Sequence, residues 1–522
     1  MEDSKIRRIN WILLLILCLF IVNAFIYMYA KPIWFDEAFS IETVRAMENG
    51  VDINWKNFDV HPPTYYVALY MWNNIPHGGI SEIYWARMLS LLFGVIFLFM
   101  VHECTKNFFG KEDVAIFVTV FMSICSTYLY FAIEARQYMM VLMVSSLAVF
   151  LLSVQIKNGF SWWRTVLIGG LCFALPLIHY YAGMFFIAMT GMYFIFMWKK
   201  ESKKKVMGAT AIIFLCGLLG IVLALTIAIP QMLQGSFMWF HNSTFVSLPS
   251  SLLFIFVQIE GVLIGNWIAQ VLFFIFCGIM LYLFLWKLLL KTFNKGMTDT
   301  QKYWAIFMIM GLAPFAGLVL KTALSGVFPQ LFHHRFFLVL GWMFAMACFV
   351  ALAEYYQKTG IRGTILVVVV FCTLIISLVS GMFSAPYQEL EDFTYTLPCG
   401  GVTVVHPSPF SGLPAKVMDR ERGCDNRHVF VTFLEPHERH TAGYDIIPEE
   451  DVFFDTELPQ EPFFYFLPDG EGEVFYRNGS YEHSFDGNQA REAGIEIKDL
   501  DGISLWYFAE EGVKMDVRID VE

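Results

Sequence analysis

The sequence predicts a mostly α-helical, polytopic membrane protein: a transmembrane bundle of about eleven helices followed by a small extracytoplasmic α/β domain. Three observations predict it. Of 522 residues, 57% are hydrophobic and only 16% charged, against about 25% charged in an ordinary soluble domain. The long apolar runs are confined to residues 1–383. Residues 384–522 are acidic, with 29 Asp or Glu against 10 Lys or Arg, a net of −19. Because the whole chain carries −11, the first 383 residues carry +8. The membrane half is therefore basic, which suits anionic lipid at a cytoplasmic face. Nothing in this distribution points to a nucleic-acid partner.

A span needs about 20 apolar residues to cross a hydrocarbon core of about 30 Å. The runs that qualify are 11–30, 84–103, 113–132, 139–156, 165–181, 183–198, 206–229, 270–290, 304–322, 336–353 and 363–383. The first follows Lys5, Arg7 and Arg8 and lacks a small-residue cleavage site. It reads as a signal anchor with the N-terminus in the cytoplasm. Basic residues then collect in alternate connections, such as Lys199 to Lys205 and Lys358 to Arg362. The positive-inside rule places those connections in the cytoplasm. A further apolar stretch, 251–267, contains Gln258, Glu260 and two glycines. Counting it as a span would put the basic connection 287–302 outside, so it reads as a helix at the outer interface. With an odd number of spans, the C-terminal domain lies outside a multi-pass plasma-membrane protein. There the short apolar runs Val402–Val405, Val429–Phe433 and Ile503–Phe508 alternate with polar connections, as strands of an α/β domain do. Cys399 and Cys424 can form a disulfide in an oxidising compartment; two free thiols read equally well.

The chemistry collects on the outer side. The first outer connection, 31–83, is long, and long connections are often functional. It opens with Trp34-Phe35-Asp36-Glu37, an acidic pair one or two turns past the first span. Taken alone, the pair also fits a solvated helix end. His61-Pro62-Pro63-Thr64-Tyr65-Tyr66 follows, where two prolines fix φ and remove two backbone donors. Arg87 sits just inside the second span, where a buried anion or snorkelling explains it. Glu134-Ala135-Arg136-Gln137-Tyr138 forms a very short outer connection. His179 and Tyr180 end the fifth span, and Arg335 opens the tenth. Each is weak singly, but all converge on one membrane face. Arginine pairs phosphate bidentately, and a carboxylate can take a proton from an attacking hydroxyl. No metal-ligand spacing stands out, so no cofactor is required, although a divalent metal is possible.

The order of these motifs, together with Arg87-Met88-Leu89-Ser90, Gly94 and Arg335-Phe336, resembles the protein O-mannosyltransferase and aminoarabinose transferase group. The likeness covers roughly residues 10–350. It departs at Phe336, where tyrosine is common, and at Val339, where proline is; Met88-Leu89 stands where Leu-Pro is usual. The resemblance implies a GT-C glycosyltransferase with a polyprenyl-phosphate sugar donor; it does not choose among a cell-envelope glycan, lipid or protein acceptor. It implies catalytic roles for Asp36, as general base, and Glu37. Arg136, Arg335 and Arg87 are expected on the donor phosphate. His61, Tyr65, Glu134, Tyr138, His179 and Tyr180 are expected to bind substrate, with Glu134 orienting Arg136 or the acceptor. The alternatives are a lipid or sugar transporter or flippase without transferase chemistry, and a related oligosaccharide ligase or polymerase.

Overall fold

The computed structural model describes residues 2–56, 61–233, 255–257, 278, 279, 282, 298–325 and 334–383, then 399, 402–405, 409–432 and a set of strands between 452 and 508. It is mostly helical. The helices are α1 (Glu2–Ala30), α2 (Phe35–Glu48), α3 (Thr64–Asn73), α4 (Glu82–Phe109), α5 (Glu112–Ser123), α6 (Ser126–Ile133), α7 (Tyr138–Asn158), α8 (Trp162–Ile178), α9 (Met184–Met197), α10 (Lys203–Leu233), α11 (Asp299–Ser325), α12 (Leu338–Thr359), α13 (Ile361–Phe383) and α14 (Pro409–Glu421).

Among the described residues, seven helical stretches are long and apolar enough to cross a membrane: Trp11–Ala30, Glu82–Phe109, Tyr138–Asn158, Tyr180–Met197, Lys203–Gln231, Leu338–Thr359 and Ile361–Gly381. The pair α5 and α6 counts as an eighth if it is one span, but it is bent by 63°. The expected spans 165–181 and 304–322 fall on α8 and α11. The expected span 270–290 lies almost wholly outside the described residues, as does 251–267 apart from 255–257. Continuous helix satisfies every backbone donor and acceptor internally, which lipid demands because it offers no hydrogen bonds.

Among its described residues, the connection 31–83, expected on the outer side, contains two helices. Asp36 and Glu37 occupy the first turn of α2, where the exposed amides of a helix start favour negative charge. Pro62 and Pro63 precede α3, which begins at Thr64; a proline's missing donor costs nothing at a helix start. Ser81 caps α4 by accepting from the Tyr84 amide at 3.5 Å. Gly110 ends it with φ +69°, a conformation glycine adopts without a Cβ penalty.

The bundle core joins α1 and α4–α13. Two indoles that enter it are paired: the Trp342 indole donates to Ser145 Oγ at 3.1 Å, and the Trp304 indole donates to the Ala347 carbonyl at 2.8 Å. Gly94 sits where an added Cβ would press on Ala132, Met139 and Phe20 at 3.1–3.3 Å, so close packing of α4 explains it. A second apolar cluster joins α2 and α3 to Ala86 and Leu89 of α4 and to Leu413, Val417 and Met418 of α14.

Beyond the bundle lie β1 (Val402–Val405), β2 (Arg427–Thr432), β3 (Val452–Phe454), β4 (Phe463–Pro468), β5 (Val474–Asn478), β6 (Tyr481–Phe485), β7 (Ile497–Leu500) and β8 (Ile503–Phe508). Six form a mixed sheet in the order β3-β2-β1-β4-β8-β7, and β5 and β6 form a hairpin. Strands β1 and β2 run parallel with Val402 opposite Arg427, and α14 is the crossover between them. Parallel neighbours need such a crossover because a tight turn reverses direction. Cys399 is disulfide-bonded to Cys424, tying the approach to β1 to the end of α14.

Candidate active site

Asp36 is the centre of a charged cluster. Its Oδ1 lies 3.7 Å from Arg136 Nη2 and its Oδ2 lies 3.6 Å from Arg335 Nη1. Three distant parts of the chain supply these groups: the start of α2, the four-residue connection between α6 and α7, and the 3₁₀ turn His334–Phe337. The bend between α5 and α6 brings Glu134 to Gln137 across to meet α2. Asp36 retains 15% of its side-chain exposure, whereas Arg136 has 2% and Arg335 6%. The carboxylate is therefore the part of the trio that a molecule from outside reaches first.

Arg136 is held from several sides. It donates to Tyr66 OH at 2.9 Å and to Ser40 Oγ at 3.3 Å, and Nη2 meets His61 Nδ1 at 3.3 Å. Ser40 lies four residues after Asp36, so both stand on one face of α2. His61 then packs edge-on against His179 at 5.4 Å between ring centroids, and His179 against Tyr138 at 5.7 Å. Arg335 lies over the Trp34 ring at 4.8 Å and the Tyr138 ring at 5.6 Å, where the negative ring faces attract a cation.

Glu134 completes the cluster. Its Oε1 is 3.4 Å from Arg335 Nη1, and its Oε2 has no protein hydrogen-bond partner among the described residues. Burial pushes this carboxyl up to about 8, with Arg335 opposing the rise and Asp36 and Glu37 adding to it. Desolvation disfavours the charged form, so the group holds its proton at neutral pH. Its side chain engages Arg335 rather than Arg136; towards Arg136 the contact is main chain, with the Arg136 amide donating to the Glu134 carbonyl at 2.7 Å.

Arg87 and Glu37 stand apart as a closed unit. Arg87 Nε and Nη2 donate to the two Glu37 oxygens at 2.9 and 2.8 Å. Arg87 Nη1 donates to the carbonyls of Met28 and Lys31, and Nη2 also to that of Pro32, all at 2.9–3.0 Å. These five bonds use all five N–H donors of a guanidinium. Glu37 also accepts from the Ala135 amide at 3.0 Å. The unit thus ties together the end of α1, the start of α2, α4 and the Glu134–Gln137 connection. An arginine expected at a phosphate is committed to the protein, because folding brings three carbonyls and a carboxylate to it.

Two tyrosines are also engaged within the protein. Tyr65 turns to Ser90, 3.3 Å away, while its neighbour Tyr66 holds Arg136. Burial raises the Tyr65 phenol above its ordinary value. The Tyr180 hydroxyl donates to Gln231 at 2.8 Å, and Gln231 in turn donates to the Trp55 carbonyl at 2.9 Å; this fastens α10 to the connection 31–83. Ser40, Tyr66 and the ring of Trp34 are site residues that sequence reasoning did not assign. Ser40 has a signal in its spacing of four from Asp36, and Trp34 and Tyr66 lie within the motifs quoted above. Among the described residues no three His, Cys, Asp or Glu side chains gather into a metal-binding group.

This architecture has solved counterparts. The crystal structure of ArnT from Cupriavidus metallidurans bound to undecaprenyl phosphate superposes with a TM-score of 0.57 at 11% identity, covering 95% of this chain and 98% of that one. The same protein in the apo state gives 0.49 at 12% identity over the same shares, 95% and 98%. The Archaeoglobus fulgidus oligosaccharyltransferase, in complex with Zn and sulfate, gives 0.45 at 13% identity over 76% of this chain and 61% of that one. No protein-family model and no curated protein matches the chain. The fold is that of the GT-C membrane glycosyltransferases, as the motif resemblance implied.

Proposed function

We propose that the chain is an integral membrane glycosyltransferase. It moves a sugar from a polyprenyl-phosphate donor to an acceptor hydroxyl on the outer face of the membrane. The observation that carries this reading is the position of Asp36 between Arg136 and Arg335, at 3.7 and 3.6 Å. Charge-assisted N–H···O bonds normally close to about 2.7–2.9 Å, so both pairs are open by most of an ångström. An arriving phosphate can draw the guanidinium groups to itself and leave the carboxylate free for the acceptor.

Charge supports the same reading. With Glu134 protonated, the two arginines and Asp36 carry a net of +1, and Glu37 and Arg87 cancel. A lipid-phosphate sugar is a diester with one negative charge, which brings the cluster to neutrality. Once the sugar leaves, the lipid monophosphate carries about −1.5 to −2 at neutral pH. The arginines therefore bind the leaving group more strongly as the bond breaks.

The reaction balances simply. The acceptor oxygen attacks the anomeric carbon and forms the new glycosidic bond. Asp36 receives the acceptor's proton. The bond from the anomeric carbon to the phosphate oxygen breaks, and its electron pair leaves on the lipid phosphate. Because that phosphate is a stable anion, no strong general acid is needed, and a single displacement inverts the anomeric centre. The closed Glu37–Arg87 unit holds the shape of the site instead of binding phosphate. Tyr66 is the phenol that positions Arg136. In this reading the donor lipid lies between the spans, and the charge asymmetry of the connections puts the N-terminus in the cytoplasm and the acidic C-terminal region outside. In ArnT the bound lipid is undecaprenyl phosphate, which supports a polyprenyl-phosphate partner here.

The test is Asp36→Asn. Loss of a general base costs on the order of 10²–10⁴ in rate. Cells making the variant at wild-type abundance should show a corresponding loss of the transferred sugar when surface glycans are compared by mass spectrometry. Normal transfer by folded Asp36→Asn rejects the assignment. Movement of a lipid-linked sugar across proteoliposomes without a new glycosidic bond would favour the flippase alternative.

A further inference from the structure

Helix α2 is gripped at a second point, seven residues into its length, by a residue from the other end of the chain. Arg420 of α14 reaches Glu42 of α2 with Nη1–Oε1 at 2.6 Å and Glu82 at the start of α4 with Nη2–Oε2 at 2.9 Å. Its Nε donates to the same Glu82 oxygen at 3.0 Å. Lys416, one turn earlier on α14, lies 3.2 Å from the other Glu42 oxygen. Glu421 accepts the Ile83 amide at 3.3 Å. Below these polar bonds Leu413, Val417 and Met418 pack into the apolar cluster that contains Ala38, Phe39 and Ile41 of α2.

Glu42 is nearly fully buried, with a side-chain exposure of 3%. Burial by itself pulls its carboxyl upward, but Lys416 and Arg420 outweigh burial and hold it below the ordinary carboxylate range. Glu42 is therefore a buried anion whose charge is compensated from α14. The geometry has a regular form. Glu37 and Glu42 are five residues apart on α2, and Glu82 and Arg87 are five apart on α4. The start of α2 is tied to α4 directly by Glu37 and Arg87; its middle is tied through Arg420, whose contacts of 2.6 and 2.9 Å are much closer than the direct pair of Arg45 with Glu82 at 3.9 Å. Asp36 stands at the first of these two ties, about 9 Å along the helix from Glu42 at 1.5 Å per residue.

We propose that Arg420 is a positioning residue for Asp36. By bridging Glu42 and Glu82 it fixes how α2 lies on α4, and so fixes where the Asp36 carboxylate stands relative to Arg136 and Arg335. The C-terminal region then contributes to the reaction through the placement of α2, with no group of its own at the reacting atoms. This rests on the reading of Asp36 as the base.

The experiment uses full-length protein with three readouts, the first two in lipid nanodiscs. Hydrogen exchange is followed over 35–48, with 138–158 as internal control. Affinity is measured with undecaprenyl phosphate as the probe. Surface sugar is measured in cells at equal protein abundance. Arg420→Ala should speed exchange in 35–48 while leaving 138–158 at the wild-type rate. It should cut sugar transfer on the order of 10²-fold, the scale of a displacement of about 1 Å at a catalytic group. It should keep undecaprenyl phosphate affinity within about threefold, since Arg136 and Arg335 lie on other elements. Arg420→Lys should restore part of the transfer, because one ammonium can reach one of the two carboxylates but cannot bridge both. Should Arg420→Ala fail to fold, Glu42→Gln, which keeps shape and removes the charge, is read by the same criteria. Unchanged exchange in 35–48 together with normal transfer overturns the proposal, as does equal loss of protection in both segments. If Asp36→Asn transfers normally, the base assignment falls by itself, and the exchange result still decides whether Arg420 holds α2.

Discussion

Glu37 and Arg87 meet through two parallel hydrogen bonds of 2.8 and 2.9 Å, with both side chains almost wholly buried. The adjacent Asp36 is more exposed and meets its arginines only at 3.6 and 3.7 Å. Two neighbouring carboxylates thus take opposite parts. One closes a tie between elements, and the other stays open to exchange partners. The difference follows from α2 itself, since consecutive helical residues point about 100° apart.

Breaking the closed pair should act on stability before it acts on rate. Removing one partner of a buried ion pair costs about 3–5 kcal/mol because the other charge is left uncompensated. Arg87→Ala and Arg87→Leu should both lower the melting temperature and the folded yield in detergent. Arg87→Lys should recover little, since a lysine cannot supply the planar fork or five donors. A lysine variant with wild-type melting would show that the two-point geometry is immaterial.

Arg136 and Arg335 should behave differently from Arg87. Each is expected to serve the donor phosphate, and one hydrogen bond to a charged group contributes about 1.5–3 kcal/mol. Arg136→Gln and Arg335→Gln should each weaken undecaprenyl phosphate binding by about 10- to 100-fold, with thermal unfolding much less affected than in Arg87→Ala. Binding measured by titration in nanodiscs decides this. Unaltered affinity in both variants would move the phosphate away from the pair.

Glu134 should leave a signature in pH. Its carboxyl is pushed up to about 8 by burial, from an ordinary 4.5. A raised carboxyl favours the folded state while protonated. Its contribution is full below about pH 4.5 and is lost as pH rises through about 8. Wild type should therefore lose melting temperature relative to Glu134→Gln between pH 5 and pH 9. The glutamine variant, which cannot ionise, should lack that decline. Parallel curves for the two proteins would show that Glu134 is not the titrating group.

Most of the site could be read as a set before any fold was known. His61, Glu134, Arg136, Tyr138, His179 and Arg335 all stood on one side of the expected membrane, and they do lie in one contiguous cluster around Asp36. What could not be read was the partner of each. Tyr65 meets Ser90, while its neighbour Tyr66 holds Arg136; Glu134, expected to orient Arg136 or the acceptor, turns its carboxyl to Arg335. Tyr180, expected with substrate, ties α10 to the connection 31–83. The contact between Arg420 and Glu42 spans 378 residues, and nothing in local spacing announces it.

The sequence by itself determined that the chain crosses a membrane repeatedly and where most of those helices lie. A run of about 20 apolar residues can satisfy its backbone in lipid only as a helix, so length and composition suffice. It also determined that carboxylates, arginines, histidines and tyrosines gather towards one end of the bundle. Only the tertiary structure decided that Asp36 is the open carboxylate and Glu37 the closed one. It alone decided that Arg87 is spent within the protein, and that α14 reaches back to grip α2. The reason is physical: apolar burial depends on summed composition over a helix, whereas an ion pair depends on distances of a few tenths of an ångström between groups that only the packed chain brings together.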